Sequence, residues 1–410
     1  MRLWEIVMLK DKTIVLGVSG SIAAYKSLFL TRLLKERRAK VLPVLTKSAS
    51  RFVGALSFSA LTQNRAVTDL WASAQAGEIG HVEWAHEADL VVIAPATANT
   101  IARLALGLAD DPLSAIALAT RAPILIAPAM EDGMWNHPAT LEHINTLQER
   151  GVLIASPEAG PLASGRTGQG RMMEPESLLE FIEGTLSPND LSGLTITVTA
   201  GPTQEPLDPV RFLSNYSSGK MGYAIARRAH QRGAKVQLIS GPTSLPAPLG
   251  VHTTRIQTTL EMLEALRSAL PQSTTLIMAA APADYRPENV SPQKLKKTGS
   301  PGAISLQPNP DILKTLLKER AHCFTVGFAA ESCDLLENAK TKLLSKKLDL
   351  IVANDITAPN AGFGGDTNTV TLLSPQRSSI QLPTLSKDEV ADKILDEILQ
   401  QQKKSPNNHV

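Results

Sequence analysis

Two stretches of this chain read alike: an apolar run with no polar alternation, a turn of small residues, then a helical pattern. Thr13–Val18 passes through Ser19-Gly20-Ser21 into a helix expected from about Ile22 to Arg38. Leu194–Thr199 passes through a long acidic, Pro-containing loop to a helix that opens on Ser217-Ser218-Gly219-Lys220 and runs to about Arg232. Strands without alternation are buried on both faces, and strands separated by helices pair in parallel. Further apolar runs follow in each half: Val41–Leu45, Asp89–Ala94 and Ile124–Ala127, then Lys235–Ile239, Thr275–Ala281, Phe324–Ala329 and Leu350–Ala353. Helical patterns lie between them at Thr97–Leu106 and Pro138–Arg150. Another lies at Thr258–Leu270, where Thr258 and Glu261 form a capping box and Leu260, Leu263, Leu266 and Leu270 share one face. The expected class is α/β, with two doubly wound, mostly parallel sheets and ligands at the strand C-terminal ends. Leu186-Ser-Pro-Asn-Asp190 is the polar break between them, giving domains of residues 1–190 and 191–410.

Composition narrows the function. A chain of 410 residues is too long for one ordinary domain. Lys and Arg number 41 against 39 Asp and Glu, a net charge of +2, which argues against a general nucleic-acid or membrane-surface binder. Two cysteines, Cys323 and Cys333, supply neither a disulfide framework nor a zinc site and suit a reducing cytosol. The apolar patch in Met1–Lys10 contains Glu5 and is too short for a signal peptide or a membrane span. A soluble, cytoplasmic protein is expected, with a disordered polar tail at Gln401–Val410.

The helix opening at Ser217–Lys220 presents backbone N–H groups and a positive dipole end, which suits a phosphate. It is not a Walker loop, because Ser214 stands where the first Gly belongs and Met221 where Ser or Thr belongs. The plainer alternative is a helix start capped by Ser217 or Ser218. In the first half, Gly17-Val-Ser-Gly-Ser-Ile22 lacks the GxGxxG spacing, and a nicotinamide-dependent oxidoreductase is set aside. Asp89–Thr100 and Ala127–Asp132 end strands in small residues and hydroxyls that could accept a flat ring with a phosphate tail, or simply pack helix against sheet. His81 and His86 are five apart and fall on different helix faces, which disfavours a shared metal. Glu205–Asp208 could bind Mg²⁺ or cap nearby turns; the residues leave both open.

Taken together these segments resemble the bacterial bifunctional enzymes of coenzyme A biosynthesis, which join phosphopantothenoylcysteine decarboxylase, a flavoprotein, to phosphopantothenate–cysteine ligase. The resemblance covers Lys12 to Leu399 and rests on GVSGSIAAYK (17–26), APATAN (94–99), DPVRFLSNYSSGKMG (208–222), AAAPADYRPENV (279–290) with KLKK (294–297), NPDIL (309–313), GFAAE (327–331) and LIVAND (350–355). It implies a flavodoxin-like domain followed by a Rossmann-like one.

For the second half the resemblance implies that CTP, with Mg²⁺, activates the phosphopantothenate carboxylate as an acyl-cytidylate, which the cysteine amine then attacks. Ala279, Ala280, Asp284 and Phe328 would hold the cytidine, and Pro310, Asp311, Ile312 and Leu313 would supply backbone contacts. Lys294, Lys342 and Lys346 would meet the triphosphate, and Asn215 would assist turnover of the acyl-cytidylate. On spacing alone, Lys342 and Lys346 read as a solvated helix face.

For the first half it implies FMN bound at Gly17, Ser19, Gly20, Ser21 and Ile22, near Thr46 and Phe52. Pro95, Ala96, Thr97 and Asn99, then Ala119 and Thr120, and Met130 complete the set. His81 would place or transfer a proton during oxidative decarboxylation. Homo-oligomers are also implied: decarboxylase trimers and ligase dimers combining into a dodecamer, with flavin at subunit contacts.

Two positions depart from the pattern. The family commonly reads PAMN where this chain has Pro128-Ala-Met-Glu131, and many members carry a Cys in the flap where this chain, in Gly160–Met172, has Ser164. A hydroxyl is a far weaker acid than a thiol. Two readings follow: a working bifunctional enzyme with an altered donor, Ser164 with a relayed water, or an active ligase with a flavin-binding but catalytically silent first domain.

Overall fold

The computed structural model describes residues 9–70, 80–296, 303–331, 334–355, 364–375 and 377–404. Cys333 and Lys297 lie outside the described residues. The chain divides into two compact units, Met1–Ser187 and Pro188–Val410.

In the first unit β1 (Thr13–Val18), α1 (Ala24–Glu36), β2 (Lys40–Leu45), α2 (Ala55–Thr62), α3 (Gly80–Glu87) and β3 (Leu90–Ala96) follow in order. Then come α4 (Ala98–Leu106), α5 (Pro112–Ala119), β4 (Ile124–Pro128), α6 (Asp132–Trp135), α7 (Pro138–Glu149) and β5 (Leu153–Ile154). The hairpin β6 (Glu158–Pro161) and β7 (Thr167–Arg171) and helix α8 (Pro175–Thr185) complete the unit. The sheet is parallel in the order β2-β1-β3-β4-β5, and this order puts the topological switch point between β1 and β3. The missing alternation has a direct cause. Ile14, Leu16 and Val18 pack with Leu30 and Leu34 of α1, whereas Val15 meets Leu113 and Ile116 of α5 on the other face.

The second unit runs β8 (Thr195–Ala200), β9 (Glu205–Pro206), β10 (Phe212–Leu213), α9 (Lys220–Gln231), β11 (Lys235–Ser240), β12 (His252–Arg255), α10 (Thr259–Ala269) and β13 (Thr275–Met278). It continues with β14 (Tyr285–Pro287), β15 (Leu306–Pro308), α11 (Ile312–Thr315), β16 (Phe324–Glu331), α12 (Leu335–Ser345) and β17 (Leu350–Asp355). The last elements are β18 (Thr367–Asn368), β19 (Val370–Ser374), β20 (Arg377–Gln381), β21 (Leu385–Ser386) and α13 (Lys387–Lys404). The main sheet has the order β12-β11-β8-β13-β16-β17-β19-β20. Its first six strands are parallel and the last two antiparallel. The parallel part is the Rossmann order, with its switch point between β8 and β13.

The capping box forms: Thr258 Oγ1 accepts from Glu261 N, and the Glu261 carboxylate accepts from Thr258 N. Leu260 is a correction, since it is 43% exposed while Met262, Leu263, Leu266 and Leu270 are buried; at 100° per residue it lies off the buried stripe. The expected disorder at Gln401 is also corrected. Helix α13 continues through Lys404, and Gln402 Nε2 donates to Thr275 Oγ1 at 3.1 Å. Cys323 is buried, its Sγ 3.0 Å from the Ser273 carbonyl, and burial pushes its thiol up to about 11.

Candidate functional site

At the β1–β3 switch point the small residues join two loops. Ser19 Oγ donates to the Pro95 carbonyl at 2.7 Å and accepts from Thr97 N at 2.9 Å. Thr97 caps α4, its hydroxyl accepting from Thr100 N. Gly20 lets the β2–α2 connection approach: a Cβ there would lie 2.4 Å from Ser48 Cβ. Thr46 N donates to the Val18 carbonyl, and Thr46 Oγ1 accepts from Ala49 N. Beside this turn Ile22 is 61% and Phe52 51% exposed, apolar surface next to a polar cradle. Helix starts at α1 and α4, hydroxyls and uncovered apolar groups fit a flat ring with an anionic tail.

Strand β4 ends at the same edge, because Ala129 N donates to the Ala96 carbonyl. Met130 N donates to the Gly170 carbonyl, which seats β7 on that strand end. Asp132 Oδ1 accepts from Gln169 N at 2.8 Å. At the hairpin tip Ser164 Oγ donates to Glu131 Oε1 at 3.2 Å. The two residues that depart from the family pattern therefore touch, a pairing the separate motifs could not reveal.

Other expected flavin residues are placed differently. Asn99 is exposed in the first turn of α4, and His81 is half-buried in the first turn of α3. Ala119 and Thr120 do not join the cradle. Thr120 Oγ1 donates to the Ala85 carbonyl of α3 at 2.9 Å, near the strand N-terminal edge where Asp89 N bonds the Thr13 carbonyl. The reason is direction: α5 descends from Leu113, which packs beneath Gly17, so its last residues lie at the opposite end of the strands.

The second unit holds a cavity of about 460 Å³ at the β8–β13 switch point. Ala279, Ala280, Asp284, Pro310–Leu313, Phe328, Lys342 and Lys346 all line it, together with the Ser217–Gly222 helix start. Lys342 Nζ donates to the Phe328 carbonyl at 3.0 Å, and Lys346 Nζ lies 3.1 Å from Asp311 Oδ2. A lysine pair that reads as a solvated helix face thus turns into the cavity. Its wall also includes Lys220, part of the helix opening read above as suited to a phosphate, and Asn354, Asn368 and Lys387, which the sequence reading missed because their signals are far apart in the chain.

Helix α9 starts differently from the serine-cap alternative. Its N-cap is Gly219 in the left-handed region at φ 77°, with no side-chain capping hydrogen bond, and a Cβ there would meet Thr243 Cγ2 at 2.7 Å. Asn215 sits at the rim: Ser217 N donates to its Oδ1, and its Nδ2 donates to the Ala281 carbonyl. Lys294 is exposed and does not line the cavity.

The acidic loop resolves as a set of braces. Glu205 Oε1 accepts from Thr259 N and Oγ1 at 2.9 and 2.8 Å. Asp208 accepts from Arg211 Nη2 at 2.6 Å, from Val210 N and Arg211 N at 2.8 Å, and from Leu295 N at 3.1 Å. The Arg211 bond, followed by those backbone bonds, holds the Asp208 carboxyl well below the usual carboxylate range. Among the described residues no group of three or more His, Cys, Asp or Glu could hold a metal ion. Nor, among them, is any helix long and apolar enough to cross a membrane.

Residues 5–187 match the flavoprotein family and residues 191–402 the C-terminal domain of DNA/pantothenate metabolism flavoproteins. The two folds and their strand-end sites thus define a two-part α/β flavoprotein of pantothenate metabolism. The coenzyme A biosynthesis bifunctional protein CoaBC of Vibrio vulnificus (strain YJ016) is 44% identical over 95% of this chain and 98% of its own. That of Bacillus subtilis (strain 168) is 44% identical over 95% of this chain and 97% of its own. A solved structure of the C-terminal domain of such a protein is 42% identical, covering 53% of this chain and 99% of that chain with a TM-score of 0.46. The chain belongs to the family of coenzyme A biosynthesis bifunctional proteins.

Proposed function

We propose that the chain makes phosphopantetheine from phosphopantothenate, cysteine and CTP, with the ligase in residues 191–410 and an FMN-dependent decarboxylase in residues 1–190. It is a bifunctional enzyme of coenzyme A biosynthesis with decarboxylase and ligase activities. The observation that carries the finer reading is the cavity of the second unit, where Lys342, Lys346, Asp284 and Phe328 converge beside an uncapped helix start.

In the ligase step a phosphopantothenate carboxylate oxygen attacks the α-phosphorus of CTP, and the P–O bond to pyrophosphate breaks. Lys342 and Lys346 face the negative charge that grows on the leaving group, with Lys294 arriving from the neighbouring exposed segment. The cysteine amine then attacks the acyl carbon, forming C–N as the C–O bond to CMP breaks. Glu205 and Asp208 are committed to backbone and hydroxyl donors, so a Mg²⁺ ion would come with the nucleotide as part of the substrate and would offset the charge of its phosphates.

In the decarboxylase half Ser19, Thr97 and the α1 and α4 starts would hold the anionic tail of FMN, and the exposed Ile22 and Phe52 would offer apolar surface to its ring. When bound, a flavin would supply reversible two-electron redox chemistry at the cysteinyl end of the substrate, with the net reaction redox-neutral. Decarboxylation consumes one proton at carbon, and His81, Ser164 and Glu131 are the chain's candidates for holding or moving it. Cytoplasmic location and assembly into a dodecamer belong to the same reading; the native mass tests the assembly.

The test is anaerobic incubation of FMN-loaded protein with CTP, Mg²⁺, phosphopantothenate and cysteine, with products followed by mass. Phosphopantetheine is expected. Accumulation of unchanged phosphopantothenoylcysteine, with flavin bound, would leave the ligase as the sole activity and sink the decarboxylase assignment.

A further inference from the structure

In the wall of the cavity three elements meet. These are the start of α9, strand β18 and the start of α13. Asn368 on β18 is 5% exposed and lines the cavity. Its Oδ1 has no hydrogen-bond partner among the described residues, and its Nδ2 rests on the Met221 thioether sulfur at 3.6 Å. A buried acceptor left unmade is costly unless something fills it.

Around it the charges are positive. Lys387, 7% exposed, opens α13 and donates from Nζ to the Gly365 carbonyl. Lys220 opens α9 and donates to the Gly364 carbonyl at 3.0 Å and to Asp366 Oδ1 at 2.6 Å. Asp366 is the carboxylate facing these lysines, and its side chain is 89% exposed, so its hold on Lys220 is screened and exchangeable. Two helix starts add their partial positive charge.

A phosphate chain would meet the cations but would set its own oxygens against Asn368 Oδ1. A ligand that carries an anion and an N–H donor side by side satisfies both. Resting on the ligase reading above, we propose that Asn368, Lys387 and Lys220 form the subsite for the α-amino acid substrate. Lys220 and Lys387 take its carboxylate, and Asn368 Oδ1 accepts from its amine. Held this way the nitrogen keeps its lone pair free for the acyl carbon. As C–N forms, CMP leaves with the electron pair of the C–O bond, one proton of the amine passes to solvent and the other stays as the amide N–H. Asn368 and Lys220 are positioning residues for the nucleophile.

The test separates the two half-reactions in the full-length enzyme. Pyrophosphate release from CTP and phosphopantothenate without cysteine reports acyl-cytidylate formation; the cysteine dependence of amide formation reports the subsite. Asn368→Leu is expected to raise the KM for cysteine roughly tenfold, the scale of one lost hydrogen bond, with pyrophosphate release unchanged. Cysteamine, which lacks the carboxylate, provides a second measurement that does not depend on a buried substitution. Its KM on the wild-type enzyme is expected to exceed that of cysteine by about tenfold, and Lys220→Met is expected to close the gap by weakening cysteine alone. If Asn368→Leu slows pyrophosphate release as much as amide formation, the cluster serves the hydrated metal–triphosphate and the proposal fails. Equal KM values for cysteine and cysteamine on the wild type would overturn it as well. No pyrophosphate release by the wild type would instead sink the ligase reading on which it stands.

Discussion

Gly20 has no room for a side chain, since a Cβ would come within 2.4 Å of Ser48 Cβ and 3.0 Å of the Ser48 carbonyl carbon. Gly20→Ala is therefore expected to cost about 1–3 kcal/mol and to open the cradle. Thermal melting and the flavin-to-protein absorbance ratio of the purified protein would both fall; an unchanged ratio would remove the turn from the flavin site. Asp208 acts through charge. Because its carboxyl is held below its unfolded value, its stabilising contribution is complete above the ordinary aspartate range, near pH 4, and is lost as pH falls through the lower folded value. Asp208→Asn should thus melt below the wild type at pH 7, with the difference shrinking in acid. Through Leu295 N the same carboxylate anchors the segment that carries Lys294, so CTP affinity is expected to drop severalfold at pH 7, measured by calorimetry.

At the scale of elements, the hairpin β6–β7 depends on a few cross-links to the end of β4. Lys26 of α1 fastens its far end, with Nζ donating to the Met172 carbonyl at 3.0 Å and Glu174 Oε1 at 2.8 Å. Asp132 pins its middle through Gln169 N. Asp132→Ala is expected to speed tryptic cleavage after Arg166 in the hairpin loop, several-fold relative to cleavage elsewhere; an unchanged rate would show that the hairpin is held without it. Helices α9 and α13 are joined by a buried ion cluster. Arg228 Nη2 and Arg232 Nη1 lie 3.0 and 3.4 Å from Asp392 Oδ1, and all three residues are 4% exposed or less. Removing one partner leaves buried charge uncompensated, so Asp392→Ala is expected to destabilise this unit by about 3–5 kcal/mol in denaturant titration. A loss under about 1 kcal/mol, the scale of a surface pair, would show the cluster to be hydrated.

As a whole molecule the chain has two compact units, each with its own sheet and core. Ligands that bind only folded protein stabilise by mass action, by about 2.7 kcal/mol at a hundredfold excess over Kd. Calorimetry of the full-length protein is expected to show two transitions, one raised by FMN and the other by CTP. Both ligands shifting a single transition equally would mean that the units unfold together.

The strands and helices were legible in the sequence wherever burial on both faces leaves an unbroken apolar run. Thr13–Val18 is a strand for that reason, and the Thr258–Glu261 box marks a helix start through bonds made within four residues. The motif series from GVSGSIAAYK to LIVAND carried the family in the same way, since local chain chemistry is written locally. Contacts between distant segments were not legible. Leu260 counted as a face residue until packing left it outside, and Lys342 and Lys346 read as solvated until β16 and α11 put Phe328 and Asp311 beside them. Short pairings such as β6–β7 carry too few residues to show a period. The Ser164–Glu131 contact and the unmet Asn368 acceptor depend on which strand ends share an edge. Chain closure between far-apart segments settles that, and no local pattern encodes it.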